Sequence, residues 1–313
     1  MAQYRLKAIA KEDIQLPAYT GSAWRGLFGH ALRSAVCVTG KPECKGCLLY
    51  QNCVYSYVFE TPPPAGTQVM RKYTAAPHPF VLIPNANQST EVKQGDELLL
   101  DFTLFGKANQ HLPYILYALE KAGERGLGTK QGQFSVTSLW QQQDDWQCIY
   151  EAGGSLQALP QQLPVIPECP QGEVVLRLET PLRLRLKERE VGPKNLDFYS
   201  LFSVLMRRLS MLRQFHTDTQ LALDFKELSD QARAMTILRS ELHWHDWSRY
   251  SSRQKTSVKM GGLMGSITLD GANLKAFWSI LYLGQFIHAG KGTGMGLGRF
   301  TLHAENVVPK VSL

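Results

Sequence analysis

The sequence predicts an α+β protein built from two tandem ferredoxin-like domains, the second closing on a glycine-rich loop. Helix-spaced apolar stripes are interleaved with short period-two runs, so helices and strands mix along one chain. The chain also repeats itself. Ile115-Leu116-Tyr117 followed by Gly126, Gly128, Gly132 and Phe134 is echoed by Ile280-Leu281-Tyr282 followed by Gly292, Gly294, Gly298 and Phe300. Each copy closes its half, so each half reads as strand, helix, two strands, helix, strand. At 313 residues there is room for two cores. The expected domains are residues 1–150, with a four-cysteine insertion, and 172–313, with the glycine loop.

Hydrophobic residues make up 44% of the chain, which excludes disorder as the default. The formal charge of +7 suits a polyanionic partner without establishing one. The opening MAQYRLKAIAKEDIQ has no signal-peptide apolar core, since Lys7, Lys11, Glu12 and Asp13 interrupt it. No run is long enough to span a bilayer. These features predict a cytoplasmic protein with no membrane partner, where disulfides are rare.

Tyr4 to Ile9 alternates as a first strand, and Ser22 reads as the N-cap of a helix after the connector Leu16–Gly21. That helix has an apolar stripe at Trp24, Leu27, Phe28, Ala31, Leu32 and Ala35. Gly26, His30 and Arg33 lie off the stripe, so His30 is either a solvated surface residue or a group available for chemistry. Cys37, Cys44, Cys47 and Cys53 follow within seventeen residues. Four thiolates at this spacing can wrap one tetrahedral ion, and a full ligand set makes the expected zinc structural. An iron–sulfur cluster and a set of plain reduced thiols are the other readings. Phe80 to Ile83 and Glu97 to Phe105 read as strands, Leu112 to Lys121 as a helix, and Gly123 to Val136 as a glycine-bearing loop entering a strand. Residues 141–171, with Gln141-Gln142-Gln143 and several prolines, read as the linker.

The second half opens with Leu182, Leu184 and Leu186 alternating with Arg183, Arg185, Lys187 and Arg189. This predicts a strand with one face on the core and a row of cations on the other, against the plainer reading of a solvated face. Phe198 to Phe215 reads as a helix with Arg207, Arg208 and Arg213 outside. His243 to Tyr250, followed by Arg253, Lys255 and Lys259, interleaves aromatics with cations, as stacking on unpaired bases requires; Arg249 belongs to it. A metal site from His243, His245 and Asp246 is disfavoured, because strand alternation puts only two of them on one side. Leu263 to Leu269 reads as a strand and Asn273 to Ile287 as a helix, with His288 at its end. Then comes GKGTGMGLGRFTL, carrying Lys291, Gly292, Gly294, Gly296, Gly298 and Arg299. Such a loop can turn sharply and offer N–H groups to phosphate. Neither the Walker pattern nor GxGxxG is present, and the loop follows a helix rather than a strand, which excludes the usual nucleotide sites. The cations beside it favour an anionic polymer over a bare surface turn.

LPAYTGSAWRGLFGHALRSAVCVTG, the CxxC segment, LFGKANQHLPYILYALEKAGERGLG, RYSSRQKTSVKMGGLMG and FIHAGKGTGMGLGRFTL together resemble one family: the CRISPR-associated endoribonucleases of the RAMP superfamily, which cut precursor CRISPR RNA within its repeats. The resemblance implies two RRM-like domains, CRISPR repeat RNA as partner, possible association with an effector complex, and cleavage without a catalytic metal. In that chemistry the RNA's own 2′-hydroxyl attacks the adjacent phosphate. It implies His30 as the proton-transfer residue, with Tyr19 the nearest tyrosine. The family's nearby lysine has no counterpart outside the cysteine loop, which leaves Arg33 in its place, and His288 beside the glycine loop is a second histidine candidate. A RAMP-type subunit that holds guide RNA without cutting it shares the same glycine loop and stays open.

Overall fold

The structure is a computed structural model that describes residues 1–63, 76–186, 189–219, 223–251 and 256–304. It divides into two compact units, Met1–Leu163 with Met211–Gln220, and Pro164–Ser210 with Leu221–Leu313.

The first unit opens with β1 (Ala2–Ala10), whose residues alternate strictly between buried and half-buried. Tyr4, Leu6 and Ala8 therefore enter the core, and Arg5 and Lys7 take the opposite face. There Arg5 makes a two-pronged ion pair with Asp101 (2.8 and 2.7 Å) beneath Trp146. The short β2 (Ile14–Gln15) precedes α1 (Gly21–Val36). Thr20, not Ser22, stands at the N-cap, and it makes no side-chain cap bond. β3 (Phe80–Pro84), β4 (Glu91–Val92), β5 (Glu97–Leu104), α2 (Leu112–Arg125) and β6 (Phe134–Gln142) follow. The main sheet runs β3-β5-β1-β6 and continues into β7 (Trp146–Glu151). Trp24 of α1 meets Phe134 edge-on, and Phe28 packs on Phe59 and Phe80, which lays α1 on the sheet's buried face.

Residues 141–151 are thus not linker: the glutamine run ends β6 and turns into a fifth strand. Gln141 is fully buried, donating to the carbonyls of Leu159 and Pro160 and accepting from the Leu159 N–H. A glutamine can be buried when its amide is satisfied in this way, and composition gives no sign of that.

The second unit contains β8 (Glu173–Leu182), β9 (Arg185–Leu186), β10 (Arg189–Glu190), α3 (Phe198–His216) as far as Ser210, α4 (Phe225–Ala234) and β11 (Arg239–His245). It continues through the hairpin of β12 (Ser248–Ser251) and β13 (Thr256–Lys259) to β14 (Gly262–Asp270), α5 (Trp278–Ile287) and β15 (Phe300–His303). Its sheet runs β11-β14-β8-β15. In both units the order is second, third, first, fourth strand of a strand–helix–strand–strand–helix–strand unit. The two glycine loops occupy the same place, between the second helix and the fourth strand. The α+β duplication read from the sequence is this topology. Helix α5 starts later than expected, because Asp270 caps a 3₁₀ turn over Gly271–Asn273.

Gly298 has φ +70°, and an added Cβ would lie 1.8 Å from the Ala289 carbonyl oxygen. Gly26, on the exposed side of α1, has nothing within 4 Å of such a carbon. Gly298→Ala is expected to cost at least about 1–3 kcal/mol of folding stability, whereas Gly26→Ala should stabilise by about 0.4–1 kcal/mol. Paired urea melts of the two variants check both signs.

Candidate functional site

Helix α1 buries Trp24, Phe28, Ala31 and Leu32 and leaves Gly26, His30 and Ser34 exposed. His30 therefore projects into solvent from a helix whose other face is fixed by aromatic packing. Gly29, beside it, lets Phe59 approach so closely that a Cβ would sit 3.0 Å from the ring. Tyr19 is half-buried in the connector, and helix rise alone separates its end of α1 from His30 by roughly 13 Å.

Arg33 turns from His30 towards the cysteine loop. Its guanidinium donates to the carbonyls of Lys41 and Pro42 and lies over the Tyr55 ring at 5.7 Å. As placed it braces this loop rather than facing a phosphate. Arg25 is a site residue the sequence did not single out: its Nη2 is 3.1 Å from Nε2 of His78, with its guanidinium over Phe59. The pair joins helix to strand entry across fifty-three residues, and no local motif announces it.

His288 is at the opposite extreme of exposure. It is 0% exposed, and neither ring nitrogen has a hydrogen-bond partner. Burial first, then the charges of Arg299 and Arg208, push its pKa down to about 3, and the nearby backbone of Leu297 and Gly296 only partly opposes this. It is a neutral, sealed residue, and its backbone is strained at φ 60°, ψ 161°. A proton-transfer group must reach its substrate, so the candidacy of His288 does not fit its position. Arg208, expected outside α3, turns inward: Nε donates to the Ile287 carbonyl at 2.7 Å, Nη2 is buried without a partner, and burial lowers the pKa to about 10.

The glycine loop is largely packed away. Gly294, Gly296 and Gly298 are buried, while Lys291 is exposed and Gly292 and Arg299 are half-exposed. The loop is sewn to the end of β8: Lys291 N–H donates to the Arg183 carbonyl, Gly298 N–H to Pro181, and Thr180 Oγ1 to Gly296. Gly294, Gly296 and Gly298 therefore serve close packing, and only Lys291, Gly292 and Arg299 are left at the surface for a phosphate.

The expected cation ladder breaks at Leu182. Arg183 is half-buried, donating Nε to the Gly261 carbonyl (3.1 Å) and pairing with Glu190 (3.3 Å). β9 and β10 then form a separate two-stranded ladder, in which Arg185 is exposed; Lys187 lies outside the described residues. The loop's hold on β8 ends the alternation there, which period-two counting cannot sense. Arg249, on β12, is half-buried with Nε lacking a hydrogen bond. Trp244 donates to Asp246 at 2.9 Å, so part of the aromatic stretch is internally braced.

Cys37, Cys44, Cys47 and Cys53 are free thiols lining one pocket. The Gly40 N–H holds the Cys37 thiol below its ordinary range, Thr39 does the same for Cys47, and burial pushes Cys44 up. Among the described residues, no three His, Cys, Asp or Glu side chains are already gathered as a metal-binding group.

Residues 1–162 match the AF_1859_N N-terminal domain, and residues 176–300 match the CRISPR-associated endoribonuclease Cas6 family. The chain belongs to the Cas6-type, CRISPR-associated RAMP proteins. An uncharacterized protein of Archaeoglobus fulgidus is 30% identical over 136 residues, 43% of this chain and 45% of that protein. The chain thus spans under half the length of the curated relative it matches. Among solved structures, a Cas6 product complex superposes with a TM-score of 0.58 at 17% identity, covering 96% of this chain and 99% of that one. Thermus thermophilus Cas6 gives 0.52 at 16%, covering 96% and 98%. A chain of a partial Cas6-RT-Cas1–Cas2 complex gives 0.59 at 14%, covering 99% of this chain and 48% of that one. At these identities the likeness is one of fold.

The Cas6-type chain thus offers one exposed histidine on α1, a sealed one behind the glycine loop, and surface cations at Arg185 and Lys291. No helix among the described residues is long and apolar enough to cross a membrane.

Because His288 is neutral when folded and has an ordinary pKa of 6.5, protons bind the unfolded chain in preference. The stabilising contribution is complete above about pH 6.5 and is lost as pH falls towards 3. Each pH unit in this window should cost up to about 1.4 kcal/mol. His288→Gln should flatten the acid limb of a stability-versus-pH curve between about pH 6 and 4. Chemical denaturation across this range checks it, and an unchanged limb would assign the loss to other groups.

Proposed function

We propose that the protein cleaves precursor CRISPR RNA within its repeats as a metal-independent endoribonuclease. The observation that carries the reading is the exposure of His30 on a helix otherwise committed to the core, in a Cas6-type chain whose other candidate histidine is sealed and neutral. In the reaction the 2′-hydroxyl of the nucleotide before the cut loses its proton and its oxygen attacks the adjacent phosphorus. The P–O5′ bond breaks, leaving a 2′,3′-cyclic phosphate on one product. The departing 5′-oxygen takes up a proton to become a hydroxyl, so no water and no external reagent are consumed.

An imidazole nitrogen can accept or donate a proton, and the solvent-facing ring of His30 can be reached by the RNA, which suits it to removing the first proton or delivering the second. A cation must steady the phosphorane. Arg33 is turned to the cysteine loop, so this role falls to a basic residue reached by the RNA itself. Tyr19 keeps a supporting role as a hydroxyl that could reach the ribose–phosphate backbone. Phosphate contacts are assigned to Arg185, Arg249, Lys291, Gly292 and Arg299, with CRISPR repeat RNA as partner and a CRISPR effector complex as a further one.

His30→Ala is expected to bind repeat RNA as the parent does, yet cut it at least about a hundredfold more slowly. Parent cleavage should persist in EDTA and stop when the nucleotide before the cut is 2′-deoxy. Single-turnover assays on cognate repeat RNA read all three. A parent that binds this RNA and never cuts it would establish instead a non-catalytic RAMP-type subunit.

Affinity should also fall steeply with salt, since the contacts are to phosphates. Arg185→Glu and Lys291→Glu should each weaken binding and lower the slope of log affinity against log salt by about one. Filter binding at several salt concentrations measures this, and unaltered affinity would move the RNA away from these residues.

A further inference from the structure

The segment from Cys37 to Cys53 has no core of its own. None of its seventeen residues is buried, and Val38 and Leu48 stand 81% and 91% exposed. Six side chains reach half-burial, and four of them are the cysteines, with Leu49 and Tyr50 the others. Fixing a stretch of this length costs about 1–2 kcal/mol per residue in backbone entropy. So little buried apolar surface cannot offset that. Yet the backbone is turned tightly: Gly40 and Gly46 have φ of +61° and +78°, and Cys47 N–H donates to the Cys44 carbonyl at 3.0 Å. Thr39 Oγ1 lies 3.9 Å from Cys37 Sγ and 3.5 Å from Cys47 Sγ, so these two thiols share one neighbour. All four sulfurs edge one pocket.

We infer that this loop binds a single zinc ion through Cys37, Cys44, Cys47 and Cys53, and that the bound ion fixes the loop which Arg33 braces against the end of α1. Four thiolates suit a soft-accepting divalent ion in tetrahedral geometry and leave no position open, so the ion is structural. The thiols do not yet form a ready three-ligand group, and the loop closes as the ion binds. Binding releases the thiol protons and supplies the stability that the segment lacks in buried surface. The carbonyls of Lys41 and Pro42, which hold Arg33, lie between the first two ligands. Zinc thereby orders the helix end about two turns after His30 without touching the RNA chemistry.

The test is made on the whole chain, purified under reducing conditions from zinc-supplemented culture. Elemental analysis should find one zinc per chain, and Cys148→Ser and Cys169→Ser should keep it. Cys44→Ser/Cys47→Ser should fall below about a tenth of it. Cobalt(II) added to stripped parent should give the strong near-ultraviolet absorption of thiolate ligation, a reading that needs no variant to fold. Stripping should also speed tryptic cleavage after Lys45 at least tenfold, and zinc alone should restore protection. Parent protein with no stoichiometric zinc, with iron and sulfide instead, or with the four thiols paired as disulfides would overturn the inference. Zinc retained by the double variant would overturn it too. None of these readouts uses RNA cleavage, so the inference stands or falls apart from the nuclease reading.

Discussion

The glycine loop between α5 and β15 approaches its own unit more closely than any side chain would permit. A Cβ on Gly290 would sit 2.3 Å from the Arg183 carbonyl oxygen, and one on Gly298 1.8 Å from that of Ala289. These contacts let the loop hydrogen-bond along Thr180 to Arg183 as though it were a further strand. Several features depend on it. The regular pairing of β8 ends at Leu182, Arg183 is pulled into a half-buried ion pair, and the helix end carrying His288 is roofed over. The loop is structural framework first, and its exposed edge at Lys291 is what remains for a ligand.

This packing gives the two histidines opposite surroundings. Both follow or occupy helices, and both stand beside basic residues in the sequence. His30 keeps its imidazole in water, because the stripe opposite it fills the space over the first sheet. His288 is enclosed, with Arg208 and Arg299 making its protonation dearer still. A group held neutral far below physiological pH cannot cycle its charge during a reaction near neutrality. It contributes instead to the pH range over which the second unit stays folded.

The cysteine loop and α1 share a complementary relation in the first unit. Helix α1 has a firm apolar side, with Trp24 against Phe134 and Phe28 between Phe59 and Phe80. The chain leaving its C-terminus has no such support and is held by Arg33 bonding to two loop carbonyls. The rigid and the weakly supported parts of this unit meet at the end of α1, about two helical turns after His30. In the proposed proton-transfer role His30 would benefit from such a fixed helix, since the geometry must hold while the substrate moves into place.

The class of fold, the duplication, the buried stripe of α1 and the clustering of four cysteines are all legible in the amino-acid order alone. Period and spacing are local properties, so residues within a few positions reveal them: Tyr4, Leu6 and Ala8 on one face, or His30 off the stripe. The tertiary structure alone decided which polar groups would be inside. Gln141 looked like linker because its partners, Leu159 and Pro160, lie eighteen and nineteen residues on. Arg208 looked external because only the fold places the Ile287 carbonyl before it, and Arg183 looked solvated until the loop from 290 onward closed over the end of β8. A side chain's charge is written in the sequence, but its exposure depends on what long-range packing sets against it.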